Sequence, residues 1–330
     1  MTSVSKIPPT FLSHTVGGVT IVVKARYKEA IQCILSRLVP LRDSGNNTGK
    51  KFGRGVCLSV PVEEGSAERF VVRDYRHGGL LGKLFGRVFC DGDRPLHEVC
   101  INEIALQRGV PSAEVIAVTK KKLCGPFYRA NFITREITGA VDLLQFIQET
   151  PLEAVQRSKR AIISALVKLI RTMHDAGIYH ADLHLKNILL KQDAAEVFTA
   201  YIIDLDKSFV ADKLTVEQRM KNLLRLNRSI DKIRWFFGQT ITNDVPTHNE
   251  NASFRPSNDN KMDTAKGRGV RLEKKMDLIS KTDRMRFFKS YMTHGNTVDT
   301  DWKKSIRRRH TQYFLHKLWW RVLDVFKSKV

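Results

Sequence analysis

His180-Ala181-Asp182-Leu183-His184-Leu185-Lys186-Asn187 runs directly into the apolar Ile188-Leu189-Leu190. Seventeen residues after Asn187, Asp204 ends a second apolar run, Tyr201-Ile202-Ile203, and is followed by Leu205-Asp206. The apolar flanks read as buried strands, which would hold the polar loops between them rigidly. An isolated Asp in a loop is ordinarily a turn former, and an isolated H-x-D carries little information. The combination is far more specific, because phosphoryl transfer needs these groups. One carboxylate must orient an attacking hydroxyl and receive its proton; a second carboxylate and an amide oxygen must hold Mg²⁺ against nucleotide phosphates. Asp182 fits the first role, and Asn187 and Asp204 the second, with ATP and Mg²⁺ as the implied cofactors.

Upstream, the chain supplies candidates for the nucleotide. Residues 56–62 and 69–75 read as a hairpin around the turn Glu63–Ser66. Gly53-Arg54-Gly55 opens its first strand, where backbone amides could approach phosphates, although a plain turn explains a lone G-x-G almost as well. Val71-Val72-Arg73 on the second strand stands where a kinase carries V-A-I-K, which puts Arg73 on the phosphates. Glu98, in a helix expected over 95–108, is its candidate partner, with Glu103 the alternative. A strand is expected over 17–24, a helix over 27–39 ended by Pro40, strands over 113–119 and 127–137, and helices over 141–149, 151–176 and 215–237.

Composition narrows the setting. Fifty-six Lys+Arg against 34 Asp+Glu give 330 residues a formal charge of +22, which implies an anionic partner. Apolar residues at 42% and charged residues at 27% are the balance of a globular chain, not a disordered one. Cys33, Cys57, Cys90, Cys100 and Cys124 are scattered without zinc-ligand spacing, which fits a reducing compartment. Neither a spanning segment nor an export signal is expected. Residues 240–268 read as a loop or linker. Residues 261–330 carry 19 Lys+Arg and 7 Asp+Glu, a net +12. Within them, Arg307-Arg308-Arg309 and the apolar spacing of Phe314, Leu315, Leu318, Trp319, Val322 and Phe326 suit either a helix on an anionic membrane surface or one docked on the core.

The chain also resembles the bacterial 3-deoxy-D-manno-octulosonic acid (Kdo) kinases of the lipopolysaccharide kinase family. The stretches that carry the likeness are G-R-G at 53–55, V-V-R-D-Y-R-H-G-G-L at 71–80, R-P-L-H-E at 94–98, G-V-P at 109–111 and T-R-E-I-T-G-A at 134–140. They continue with M-H-D-A-G-I-Y-H-A-D-L-H-L-K-N-I-L-L at 173–190, I-I-D-L-D-K at 202–207 and N-L-L-R-L-N-R-S-I-D-K at 222–232. The resemblance implies ATP-dependent phosphorylation of a Kdo hydroxyl on Kdo–lipid A, at the cytosolic face of the bacterial inner membrane. It makes Asp182 the catalytic carboxylate and Asn187 and Asp204 the metal ligands, and it sets Glu136 within the adenine-binding hinge 134–137. His184 stands where many relatives have Asn, and Leu205-Asp206 is nearer the family's D-F-D than the Phe-Gly of protein kinases.

The expected fold is α+β: a two-lobed protein-kinase-like fold with a β-rich N-lobe over 1–138 and a helical C-lobe over 139–239. The 240–268 linker and a basic extension over 269–330 follow. Arg225, Arg228 and Lys232, at i, i+3 and i+7 of a predicted helix, are candidates for sugar carboxylates or lipid phosphates, and equally a solvated face. Other acceptors, a core heptose or a protein hydroxyl, would be served by the same machinery. A pseudokinase scaffold is disfavoured by the complete set Asp182, Asn187 and Asp204. A basic nucleic-acid-binding protein lacks an aromatic-interleaved basic motif, so no nucleic acid is expected.

Overall fold

The computed structural model describes residues 7–43, 51–52, 55–75, 88–90, 93–242 and 279–293. Gly53, most of the 240–268 linker and the segment 303–329 therefore lie outside the described residues. Two units separate, Met1–Asp212 and Lys213–Val330.

The first unit is built on a seven-stranded antiparallel sheet. Its strands are β1 (Phe11–Val16), β2 (Val19–Lys24), β3 (Lys51–Phe52), β4 (Gly55–Pro61), β5 (Arg69–Asp74), β6 (Val115–Lys122) and β7 (Tyr128–Arg135), in spatial order β1-β2-β6-β7-β5-β4-β3. The expected 56–62 and 69–75 hairpin is β4–β5, with Val72 opposite Leu58 and Arg73 opposite Cys57. Alternation gives the sheet two apolar faces. Ile21, Val23, Phe70, Val72, Ala117 and Ile133 pack with Ile31 and Ile34 of helix α1 (Lys28–Asp43). Phe11, Val22, Val115, Val118 and Phe132 pack with Val99 of helix α2 (Arg94–Gln107). A bulge between Val115 and Ala117 lets Val115 and Val118 share the α2 face. Two expectations need correcting. Helix α1 continues through Pro40 to Asp43, because a proline forfeits one intrahelical bond and can bend a helix without stopping it. Strand β1 precedes the expected strand and pairs with all of β2.

The chain then passes through β8 (Val141–Asp142) into helix α3 (Leu143–Glu149), whose first turn is capped by Asp142 accepting from the Gln145 N–H at 2.9 Å. Helix α4 (Leu152–Asp175) turns Val155, Ile162, Leu166, Leu169, Ile170 and Met173 inward, against β9 (Ile178–Tyr179) and β11 (Phe198–Ile202). Strand β10 (Ile188–Gln192) sits between β11 and β8, while β12 (Phe209–Val210) pairs with β9. The apolar run after Asn187 and the one before Asp204 thus form neighbouring strands, with Ile188 opposite Ile202. An antiparallel sheet carrying α2, followed by helical structure around short catalytic strands, is the expected α+β kinase-like arrangement.

The second unit contains α5 (Val216–Thr242) and α6 (Lys281–Thr293). Each begins with a reciprocal cap, Thr215 with Gln218 and Ser280 with Asp283. Arg284 of α6 donates to Asn227 Oδ1 and Asp231 Oδ1 on α5, both at 2.8 Å.

Candidate active site

The loop 180–187 is held by its backbone. His180 is fully buried; its Nδ1 accepts the Asp182 N–H at 3.0 Å, so Nε2 carries the proton and donates to the Ile203 carbonyl at 3.1 Å. Burial lowers the His180 pKa, in keeping with this neutral ring. Asn187 donates from Nδ2 to the Asp182 carbonyl at 3.0 Å, and its own carbonyl accepts the Ile203 N–H at 3.0 Å. The Ser208 hydroxyl accepts the Ala181 N–H at 3.1 Å. These bonds tie Asp182, Asn187 and the residue before Asp204 into one network. The Asp182 carboxylate itself is 70% exposed, with His184 Nε2 at 3.5 Å.

Asp204 is held by its side chain. Its backbone is left-handed, at φ 63°, a conformation that short polar residues tolerate and that recurs at functional sites. Arg73 Nη1 donates to Asp204 Oδ1 at 3.1 Å, while Nη2 pairs with Glu98 Oε1. The guanidinium also lies 4.8 Å from the Phe132 ring centroid. Burial pulls the Arg73 pKa down, but Glu98 and Asp204 more than offset this and leave it above its ordinary value. Burial pushes the Glu98 carboxyl up to about 8, against the pull of Arg73. Between the two candidates for Arg73, geometry selects Glu98: Glu103 instead pairs with the Lys24 ammonium at 2.8 Å and accepts from the Thr10 hydroxyl at 3.2 Å.

A third cluster has no counterpart among the sequence candidates. Asp206 accepts Arg94 Nε at 2.8 Å, Arg94 Nη2, and the Tyr75 hydroxyl at 2.7 Å. Burial would raise the Asp206 pKa, but the bonds from Arg94 and Tyr75 hold it below the ordinary carboxylate range. Arg94 opens α2, the helix that carries Glu98, so this cluster joins α2 to the Asp204 loop. Its three members all lie inside stretches read from the sequence, at spacings that announce no contact.

The remaining candidates lie on β4, just after β7 and on α5. Gly55 starts β4 opposite Phe52. Glu136 follows β7; its N–H donates to the Arg69 carbonyl at 2.8 Å, and its carboxylate meets the Ser59 hydroxyl and Arg69 Nε. Arg225 and Arg228 lie half-buried on α5 in the second unit, and the Lys232 side chain is outside the described residues.

Among the described residues no three His, Cys, Asp or Glu side chains converge as a metal cage. A magnesium nucleotide does not need one, since phosphate oxygens supply much of its shell. Asn187 spends its NH₂ on Asp182, which leaves Oδ1 for a cation, and Asp204 adds a carboxylate oxygen. The donor set therefore fits a hard divalent cation. Glu98 Oε2 and His184 Nδ1 are buried with no hydrogen-bond partner among the described residues, so polar capacity remains at the site.

Known proteins share this chain's pattern. The 3-deoxy-D-manno-octulosonic acid kinase of Vibrio cholerae serotype O1 is 30% identical over 195 residues, 58% of this chain and 76% of that protein. The kinase of the same name from Haemophilus influenzae strain Rd is 30% identical over 190 residues, 56% and 75% of the two chains. Among solved structures, WaaP in complex with acyl carrier protein aligns with a TM-score of 0.47 at 16% identity, over 90% of this chain and 96% of that one. Residues 50–242 match the lipopolysaccharide kinase (Kdo/WaaP) family, more than half of the 330, and the chain belongs to that family.

Proposed function

We propose that this phosphotransferase moves the γ-phosphoryl group of Mg·ATP to a Kdo hydroxyl of Kdo–lipid A, at the cytosolic face of a bacterial inner membrane. The observation that carries the reading is the single hydrogen-bonded network joining Asp182, Asn187 and Ile203, the residue before Asp204. Family membership and relatives named for the Kdo reaction support this acceptor over a core heptose or a protein.

In this reading Asp182 accepts the proton of the sugar hydroxyl as its oxygen attacks phosphorus, and its exposed carboxylate is free to reach an acceptor. Asn187 Oδ1 and the Asp204 carboxylate would hold Mg²⁺, which when bound neutralises charge on the phosphates. Arg73 contacts phosphate oxygens and is kept in place by Glu98. The left-handed turn at Asp204 is fixed from both sides, by Arg73 on β5 and by the Arg94–Asp206 bond on α2. Positioning and charge stabilisation then supply the rate.

Purified protein with ATP, Mg²⁺ and Kdo–lipid A, read by mass spectrometry, should add one phosphate to the sugar portion. Phosphate appearing only on heptosylated core, or only on a protein acceptor offered in parallel, would replace the acceptor while keeping the chemistry. Transfer to none of them would reject the reading.

A further inference from the structure

We infer that one end of the seven-stranded sheet, the β6–β7 tip with the β1–β2 turn beside it, docks on an anionic lipid bilayer. This rests on the reading that the acceptor sugar is carried by a lipid. Leu123 and Phe127 form the β6–β7 tip and are 42% and 39% exposed. The tip is an ordered turn: the Leu123 N–H donates to the Phe127 carbonyl and the Phe127 N–H to the Cys124 carbonyl, each at 2.9 Å. Val16, 59% exposed, begins the β1–β2 turn, and register puts that turn at the same sheet end, with Val19 opposite both Val16 and Lys121.

Cations ring this apolar apex. Lys120 and Lys122 point to one face of β6 and Lys121 to the other, and Arg129 on β7 stands directly opposite Lys121. Lys121, Lys122 and Arg129 are exposed and make no ion pair among the described residues. Residues 119–130 and 13–22 contain no Asp or Glu, and among the described strand residues the nearest carboxylate in register is Asp74, opposite Asn131. Two cations placed directly opposite each other on a strand pair are destabilising. An anionic surface would compensate that repulsion, and a bilayer would also take up the apolar apex. A nucleic acid would answer the charges but not Leu123, Phe127 and Val16. Arg73 pairs with Phe132 on β7, and Phe132 lies four residues, roughly 13 Å, from the base of the tip. The site would stay outside a membrane that the tip engages.

The test is flotation of the full-length protein with vesicles of phosphatidylcholine alone or mixed with phosphatidylglycerol, without ATP or acceptor. The parent should partition onto the anionic vesicles. Lys121→Gln/Arg129→Gln should weaken partition by roughly 20- to 30-fold, about fivefold for each cation, and should melt no lower than the parent because a repulsion has been removed. Leu123→Ser/Phe127→Ser should weaken it by about tenfold or more while folding normally. Partition equal to the parent in both variants would overturn the inference. Transfer to Kdo–lipid A together with unchanged flotation would reject the docking surface and leave the proposed reaction standing. Lost flotation in the variants without any transfer to Kdo–lipid A would do the reverse.

Discussion

Asp204 has a left-handed backbone and a carboxylate held by Arg73 at 3.1 Å, whereas Asp182 presents a carboxylate that is 70% exposed on a loop pinned through main-chain groups. The Asp182 loop gets its rigidity from His180 and Asn187, whose side chains bond to backbone atoms on either side of it. The Asp204 loop gets its rigidity from side-chain bonds: Arg73, itself held by Glu98, on one flank, Arg94 and Tyr75 acting on Asp206 on the other. The difference suits two tasks. A group that must meet a new hydroxyl at each turnover should have its position fixed but its oxygens free. A group that must sit against a highly charged nucleotide gains from neighbouring cations that fix its orientation and offset like-charge repulsion.

Substitutions that act on one loop and spare the other sharpen this contrast. The largest effect is expected from Asp204→Ala, which removes a proposed metal ligand and leaves Arg73 with Glu98 alone; phosphoryl transfer should fall below detection in a radiolabel assay. Asp182→Asn should lower kcat by about 10²–10⁴-fold with the melting temperature unchanged, because an exposed carboxylate contributes little to folding. Arg94→Lys should act on the Asp204 side only. An ammonium cannot reproduce the two-pronged bond to Asp206, so kcat should drop by about tenfold, the ratio to which roughly 1.5 kcal/mol corresponds, with KM for the acceptor steady. A fall in acceptor affinity with kcat intact would place Arg94 outside this positioning role.

The last effect is on stability and concerns pH. Burial raises the Glu98 pKa from 4.5 to about 8 in the folded protein. The folded state therefore holds this proton more tightly than the unfolded state, and stability declines as pH rises from about 4.5 through about 8. Glu98→Gln should flatten that part of the stability-versus-pH curve in denaturant titrations. A curve of unchanged shape would mean that Arg73 keeps Glu98 ionised across the range.

The catalytic loop was legible because its determinants are local. His180, Asp182 and Asn187 fall within eight residues, and the strands that anchor them are visible as apolar runs. Arg73 was legible through its place on a hairpin strand, but its partner was not. Glu98 and Glu103 share one helix, and only tertiary packing sends Glu103 to Lys24 on β2. The Arg94–Asp206–Tyr75 cluster escaped because its bonds join positions 112 and 131 residues apart. Strand β1 escaped for another reason. Phe11-Leu12-Ser13-His14-Thr15-Val16 is an edge strand with mostly exposed side chains, so its apolar alternation is weak. Helix α1 runs past its expected end because the one donor that Pro40 lacks does not by itself stop a helix.

The central claim is that Asp182 serves the acceptor and Asp204 serves the nucleotide. Calorimetric titration of Mg·ATP into Asp182→Asn and Asp204→Ala, side by side with the parent, tests it most directly. Asp182→Asn should bind Mg·ATP with the parent's Kd, and Asp204→Ala should show no Mg²⁺-dependent binding. Equal loss of affinity in both variants, or normal binding in both, would contradict the division of labour between the two loops.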